Sequence, residues 1–280
     1  MLGSTERLIV LGSLAALFAV FLVLQISYLF GDAGSRAGSG LTYADAAHRG
    51  FIELTLTATL SAILIIVLQK LARHDAGERL VKYCALLLIA EVLPMLLSAN
   101  FRLAQYETAY GYTLLRLYVH VCIALIYVAM LLLARQMLTS IDLLQLTEQI
   151  GVAVIIACAG LAFWNHTGWI VDRNVERYMA GRPLDARYLM ELAAACPDTT
   201  PALAASLRKL SGTDVRTQRL RIYLLSDHHG VLDELNGRWF RWNLRRAQAK
   251  QALENLRGAS SDTRRVRLAA RNNSSARLLL

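Results

Sequence analysis

Residues 101–120 read FRLAQYETAYGYTLLRLYVH and set Arg102, Glu107, Arg116, His120 and four tyrosines at the junction of two long apolar runs. An ionisable side chain at membrane depth costs about 3 kcal/mol or more, so it pairs, faces other helices or lines a wet cavity. The junction therefore marks both where one span hands over to the next and where function is first sought.

Outward from it the chain of 280 residues is 55% hydrophobic, with mean hydropathy +0.39 and four prolines, too apolar for an ordinary soluble domain. Five runs are long enough to cross a bilayer, whose hydrocarbon core takes roughly 20 helical residues. They cover residues 8–30, 51–71, 80–97, 114–134 and 150–170. The third is the shortest and holds Glu91 and Pro94. The first resembles a leader, but it is long and lacks a clear small-residue cleavage site before Phe30, so it reads as a retained span.

The predicted fold class is an all-α polytopic membrane protein of five transmembrane helices with a small helical extramembrane region. Residues 1–170 form the membrane domain, 171–257 the helical region and 258–280 a basic disordered tail. Asp185 caps a helix over ARYLMELAAA, and Thr200 with Pro201 starts another. Two more helices are expected over 217–225 and 239–256. From Gly237 onward, eleven Arg or Lys residues face only Glu254 and Asp262, so the whole net charge of +9 sits there. Such a tail confers solubility or weak attraction to anionic surfaces.

Counting spans puts the segments 31–50, 99–113 and everything after 170 on one side. Lys70, Arg73, Arg79 and Lys82 flank the short link on the other side, which favours a cytoplasmic N-terminus and an outside C-terminus. The four cysteines show no metal or redox spacing and read as small hydrophobes.

Arg116 and His120 lie four residues apart, with Thr113 and Tyr127 extending the same face of the fourth span. Glu91 lies at similar depth on the third span, so a Glu91 pairing with Arg116 or His120 is expected there, with Pro94 opening a kink or small cavity beside it. In the second span Glu53, Thr57 and Ser61 share a face, and Arg49 stands one turn before Glu53. That spacing reads first as an interfacial Arg49–Glu53 pair, and second as Glu53 facing the same cavity as Glu91 and His120. The polar site thus comprises Arg49, Glu53, Glu91, Arg102, Glu107, Tyr110, Arg116 and His120.

A purely structural account competes with it. Buried ion pairs can fix helix register, and interfacial tyrosines form an aromatic belt. His48, Glu53, Glu107, His120 and His166 follow no metal spacing, and Asp227-His228-His229-Gly230 reads as a turn. Phosphate loops, nucleophile elbows and HExxH helices are absent from the sequence. No cofactor or metal is expected. The expected partners are the lipid bilayer and either a second copy of the chain or other membrane subunits, with no nucleic acid.

Four stretches, TYADAAHRGFIEL, YETAYGYTLLRLY, DRNVERYMAGRPLDARYLMEL and WNLRRAQAKQAL, together resemble bacterial multipass membrane proteins of the domain-of-unknown-function 4173/4153 type. The resemblance covers residues 24–253. Its most specific part is the Glu-x-Ala-Tyr-Gly-x-Thr pattern of Glu107, Ala109, Tyr110, Gly111 and Thr113. It implies characteristic polar positions at Tyr43, Arg49, Gly50, Phe51, Glu53, Arg102, Tyr106, Glu107, Tyr110, Gly111, Arg116, Asp172 and Arg177. It also implies a chain shorter than usual, a short member or the C-terminal part of one. It supplies no substrate.

The function expected is a bacterial inner-membrane binding, transport-associated or signalling component with a polar site on the outer-leaflet side. The alternatives are a membrane enzyme, with Glu107 or Glu53 as acid or base and Arg102 or Arg116 holding an anion, and a structural subunit of a membrane complex.

Overall fold

In the computed structural model, residues 2–30, 43–71, 77–139, 142–196 and 199–209 are described, with isolated positions at 220, 222, 251, 254 and 255. Eight helices and no strands occur among them. They are α1 (Ser4–Phe30), α2 (Tyr43–Lys70), α3 (Glu78–Tyr110), α4 (Leu114–Leu138), α5 (Leu143–Phe163), α6 (His166–Met179), α7 (Ala186–Ala195) and α8 (Thr200–Lys209). The first five are long and apolar enough to cross a membrane. Leucines, valines and isoleucines such as Leu17, Val20, Leu56, Leu60, Leu131 and Ile155 stand exposed along them, a surface suited to lipid.

The chain divides into two compact units, residues 1–162 and 163–280. In the first, α3 is the hub against which α1, α2 and α4 pack. Its buried face runs through Val81, Ala85, Leu88, Val92, Met95, Leu96, Ala99, Leu103 and Glu107, a helical stripe facing three neighbours rather than one. Of its most apolar stretch 44% is buried, against 6% for α5, which among the described residues enters the core through Leu146 with Leu143 and Ile150 alongside.

One end of this bundle is closed by short contacts. The Leu2 amide donates to the Leu71 carbonyl at 2.8 Å, and Gln69 reaches Met137 Sδ at 3.5 Å. A Cβ at Gly77 would meet Ser4 Oγ at 2.7 Å and Ser4 Cβ at 2.9 Å, so the start of α1 lies against Gly77 and a larger residue there would force Ser4 to shift. The α3–α4 turn lies at the opposite end, because α3 runs away from Gly77.

Several span boundaries differ from the sequence reading, most of all in the second, third and fifth spans. The segment 99–113, read as a loop, is helical to Tyr110, leaving only residues 111–113 as the connection. The apolar run ends near Leu97, but Ala99, Leu103 and Glu107 continue the buried stripe, so packing sustains the helix beyond the hydrophobic stretch. At 33 residues α3 is about 50 Å long, well beyond the roughly 30 Å hydrocarbon core. Pro94 is accommodated inside it without ending it.

The fifth span, read over 150–170, instead covers Leu143–Phe163. Its start is fixed by Asp142, which accepts from the amides of Leu144 and Gln145 at 2.9 and 3.2 Å. Beyond its end, Asn165 accepts from the Gly168 amide at 3.1 Å and caps a new helix. The second span likewise begins earlier, since residues 43–50, read as loop, are the first turns of α2.

In the second unit α6 packs on α8. Asp185 caps α7 by accepting from the Tyr188 amide at 3.0 Å, and α8 begins at Thr200 as the Thr-Pro pair implies. The helices expected over 217–225 and 239–256 fall almost wholly outside the described residues, as does the tail 258–280.

Candidate functional site

The stripe that prolongs α3 carries a carboxylate to the end of the bundle. Glu107 is buried, its side chain 7% exposed, and His120 on α4 meets it with Nε2 to Oε2 at 3.1 Å. The other ring nitrogen of His120, Nδ1, lies 2.5 Å from Asn100 Oδ1. Asn100 and Glu107 are seven residues apart on α3, two helical turns, so one imidazole on the antiparallel neighbour bridges both.

Hydrogen-bond accounting constrains this chain of groups. As placed, both partners of His120 are acceptors, and only an imidazolium supplies two ring N–H donors. With the Asn100 amide turned over, its Nδ2 donates to a bare Nδ1 and a neutral imidazole suffices. Either way the imidazole is held at both ends, and the carboxylate is an ion-pair partner whenever the ring is protonated.

Beside the triad stands a cation–tyrosine ladder. Arg102, Tyr106 and Tyr110 follow at four-residue intervals on α3. The Tyr106 and Tyr110 rings are 4.8 Å apart, and the Arg116 guanidinium lies 4.4 Å from the Tyr106 centroid. Arg116 Nη1 also donates to the Gly111 carbonyl, locking the turn.

The turn itself explains the motif residue by residue. Gly111 has φ 98° and ψ 168°, a conformation nearly restricted to glycine, and its amide donates to the Glu107 carbonyl at 2.7 Å. Thr113 then caps α4, accepting from the Arg116 amide at 3.4 Å. The Glu-x-Ala-Tyr-Gly-x-Thr pattern is thus a helix stop, a three-residue turn and a helix start, with Glu107 added for His120.

The remaining residues of the expected set do not all join this group. Glu91 does not pair with His120, whose two nitrogens are engaged elsewhere. It lies nine residues before Asn100, about 13 Å away along α3, buried and with no hydrogen-bond partner for Oε2 among the described residues. The hairpin register explains the separation, because Asn100 rather than Glu91 stands level with His120. Glu53 is exposed on α2. Counted from the shared closed end, it lies 17 residues along α2 and Glu107 29 along α3, about 18 Å apart in depth. Thr57 and Ser61 turn their hydroxyls to the carbonyls of Glu53 and Thr57, at 2.7 and 2.8 Å. Arg49 is in the first turns of α2, and its side chain lies outside the described residues.

Asn100 is the member that sequence reading missed, although its seven-residue spacing to Glu107 would have revealed it once α3 was extended to Tyr110. Arg7, fully buried on α1, was also missed, hidden at the edge of the first apolar run. Among the described residues no three His, Cys, Asp or Glu side chains gather as a metal site. Glu107, His120 and Asn100 together can exchange a proton and hydrogen-bond to a polar group.

Five apolar helices, with a buried carboxylate held by a half-buried imidazole, mark a multipass α-helical membrane protein. The chain belongs to the family described as Domain of unknown function (DUF4153), whose model matches residues 1–205. That match takes in the Glu-x-Ala-Tyr-Gly-x-Thr turn and most of α8, and ends before the WNLRRAQAKQAL stretch. Neither the curated proteins nor the solved structures contain a match.

Proposed function

We propose that this chain is a binding or transport-associated component of the bacterial inner membrane, with Asn100, Glu107 and His120 as its polar site. The observation that carries the reading is the buried Glu107 held against His120 at 3.1 Å on an otherwise apolar hairpin. Burying that pair costs desolvation that a well-packed apolar pair would avoid, which favours a role beyond packing. Arg102 and Arg116, along the adjoining tyrosine ladder, supply positive charge for an anionic group.

The test is native mass spectrometry of the full chain in lipid nanodiscs. Wild type is expected to retain a bound lipid or small polar molecule that Glu107→Gln and His120→Ala release while staying folded by circular dichroism. No bound species in wild type, or equal retention in both variants, overturns the proposal.

A structural-subunit reading has its own support, since Arg116, Tyr106, Tyr110, Gly111 and Thr113 satisfy one another within the turn. It predicts that every substitution at the turn acts through protein level alone.

The proposed orientation places the N-terminus in the cytoplasm and the α3–α4 turn at the outer leaflet, supported by Lys70, Arg73, Arg79 and Lys82 around the α2–α3 link. A reporter fused after Arg257 is expected to be active outside, and cytoplasmic activity would reverse the assignment.

A further inference from the structure

We infer that Trp164, His166 and Trp169 form an interfacial anchor that seats in the zwitterionic phospholipid headgroup layer and sets the depth of α5. The need for such an anchor comes from α5 itself. Among the described residues it joins the core at its first turns, through Leu143, Leu146 and Ile150, while Val152, Ile155, Ile156 and Phe163 are exposed. The helix is 21 residues, about 31 Å, close to the thickness of the hydrocarbon core. Its later turns contribute no residue to the described core.

The chain leaves α5 at Phe163, 88% exposed, and the next residue is Trp164, 42% exposed. The Trp164 ring lies 5.5 Å from Trp169 and 6.3 Å from His166, and the Arg173 guanidinium stands 5.5 Å from the Trp169 centroid. Asn165, between Trp164 and His166, caps α6. Indole combines a broad apolar face with one N–H donor, which is why tryptophan collects where lipid tails meet headgroups. Covalent continuity with the end of a span brings the cluster to that layer. Arg173 is already paired with Glu176 at 2.9 Å, so the cluster brings no unbalanced cation, and a zwitterionic surface suits it as well as an anionic one.

The test uses the full chain reconstituted in phosphatidylcholine vesicles carrying bromine or nitroxide quenchers at shallow or mid-chain depth. The chain has four tryptophans, so a Trp239→Phe/Trp242→Phe variant isolates emission from Trp164 and Trp169. Shallow quenchers are expected to reduce that emission about twofold more than mid-chain ones, with no further change when phosphatidylglycerol is added. Stronger quenching by the mid-chain label, by aqueous iodide over both lipid labels, or only after phosphatidylglycerol is added overturns the inference. In the Trp239→Phe/Trp242→Phe background, further replacement of Trp169 by Phe leaves Trp164 alone, whose emission is expected to keep the preference for shallow quenchers; loss of that preference would equally refute the anchor.

Discussion

Removing both partners of the Glu107–His120 contact should cost less than the two single removals added together. At 3.1 Å and an effective dielectric of about 20, a carboxylate and an imidazolium attract by about 5 kcal/mol before desolvation. Most of that gross figure is cancelled by desolvation. His120 keeps 23% of its side-chain surface exposed, and an unfolded chain still in the membrane finds other polar partners. Hydrogen-bonded pairs in membrane proteins retain about 0.6 kcal/mol on average and up to about 1.7, so a coupling near 1 kcal/mol is expected. The His120→Ala single should cost about 1–3 kcal/mol, because it leaves the buried Glu107 carboxylate without its partner, and Glu107→Ala toward the lower end, because His120 stays partly exposed. Unfolding by titration with a denaturing detergent, monitored by helical circular dichroism, gives the four free energies for wild type, Glu107→Ala, His120→Ala and the double variant. Additivity within about 0.3 kcal/mol would refute the contact as an energetic pair and, with it, the argument that His120 is held at both ends.

Individual contacts elsewhere in the chain set further expected outcomes. Gly111→Ala should destabilise the same unfolding transition by about 1–3 kcal/mol, since a Cβ cannot adopt φ 98° with ψ 168° without strain; unchanged stability would mean the turn is wrongly understood. Asp185→Ala should lower stability by about 1 kcal/mol through the lost α7 cap, read as an earlier thermal transition in helical signal. Arg187 is raised above its ordinary value by its hydrogen bond to Glu191 and then by that residue's charge. A raised basic group contributes below its unfolded pKa and loses that contribution only as pH climbs through the folded value. Stability should therefore be indifferent to this pair across neutral and mildly alkaline pH, and Arg187→Ala should be silent in the same melt.

The spans were legible because each is an apolar run of sufficient length, a signal that needs no tertiary information. Their ends were less so. Asn165 ends the fifth span by capping α6, inside a run that hydropathy alone carries to Ile170. The third span outlasts its apolar residues because Leu103 and Glu107 stay buried against neighbours. That misjudged end also hid the site, for a loop at 99–113 leaves no reason to set Asn100 and Glu107 on one face. Glu91 took their place by depth alone, although the register of the hairpin sets it well below His120. Glycine and threonine in the turn were legible as a pattern, while the Arg116 contacts that make the pattern rigid depend on a side chain folding back over Tyr106.

The proline within α3 gives the hub helix mechanical consequences. Without an N–H at Pro94, the backbone is softest there. Glu107 stands 13 residues beyond it, about 20 Å along a stiff rod, so flexing by about 5° at that point displaces the carboxylate by about 2 Å. Asn100, only six residues beyond, moves less than half as far. Any flexing of α3 at Pro94 would therefore move Glu107 more than twice as far as Asn100, and so bear on the Glu107 contact to His120 before the Asn100 one.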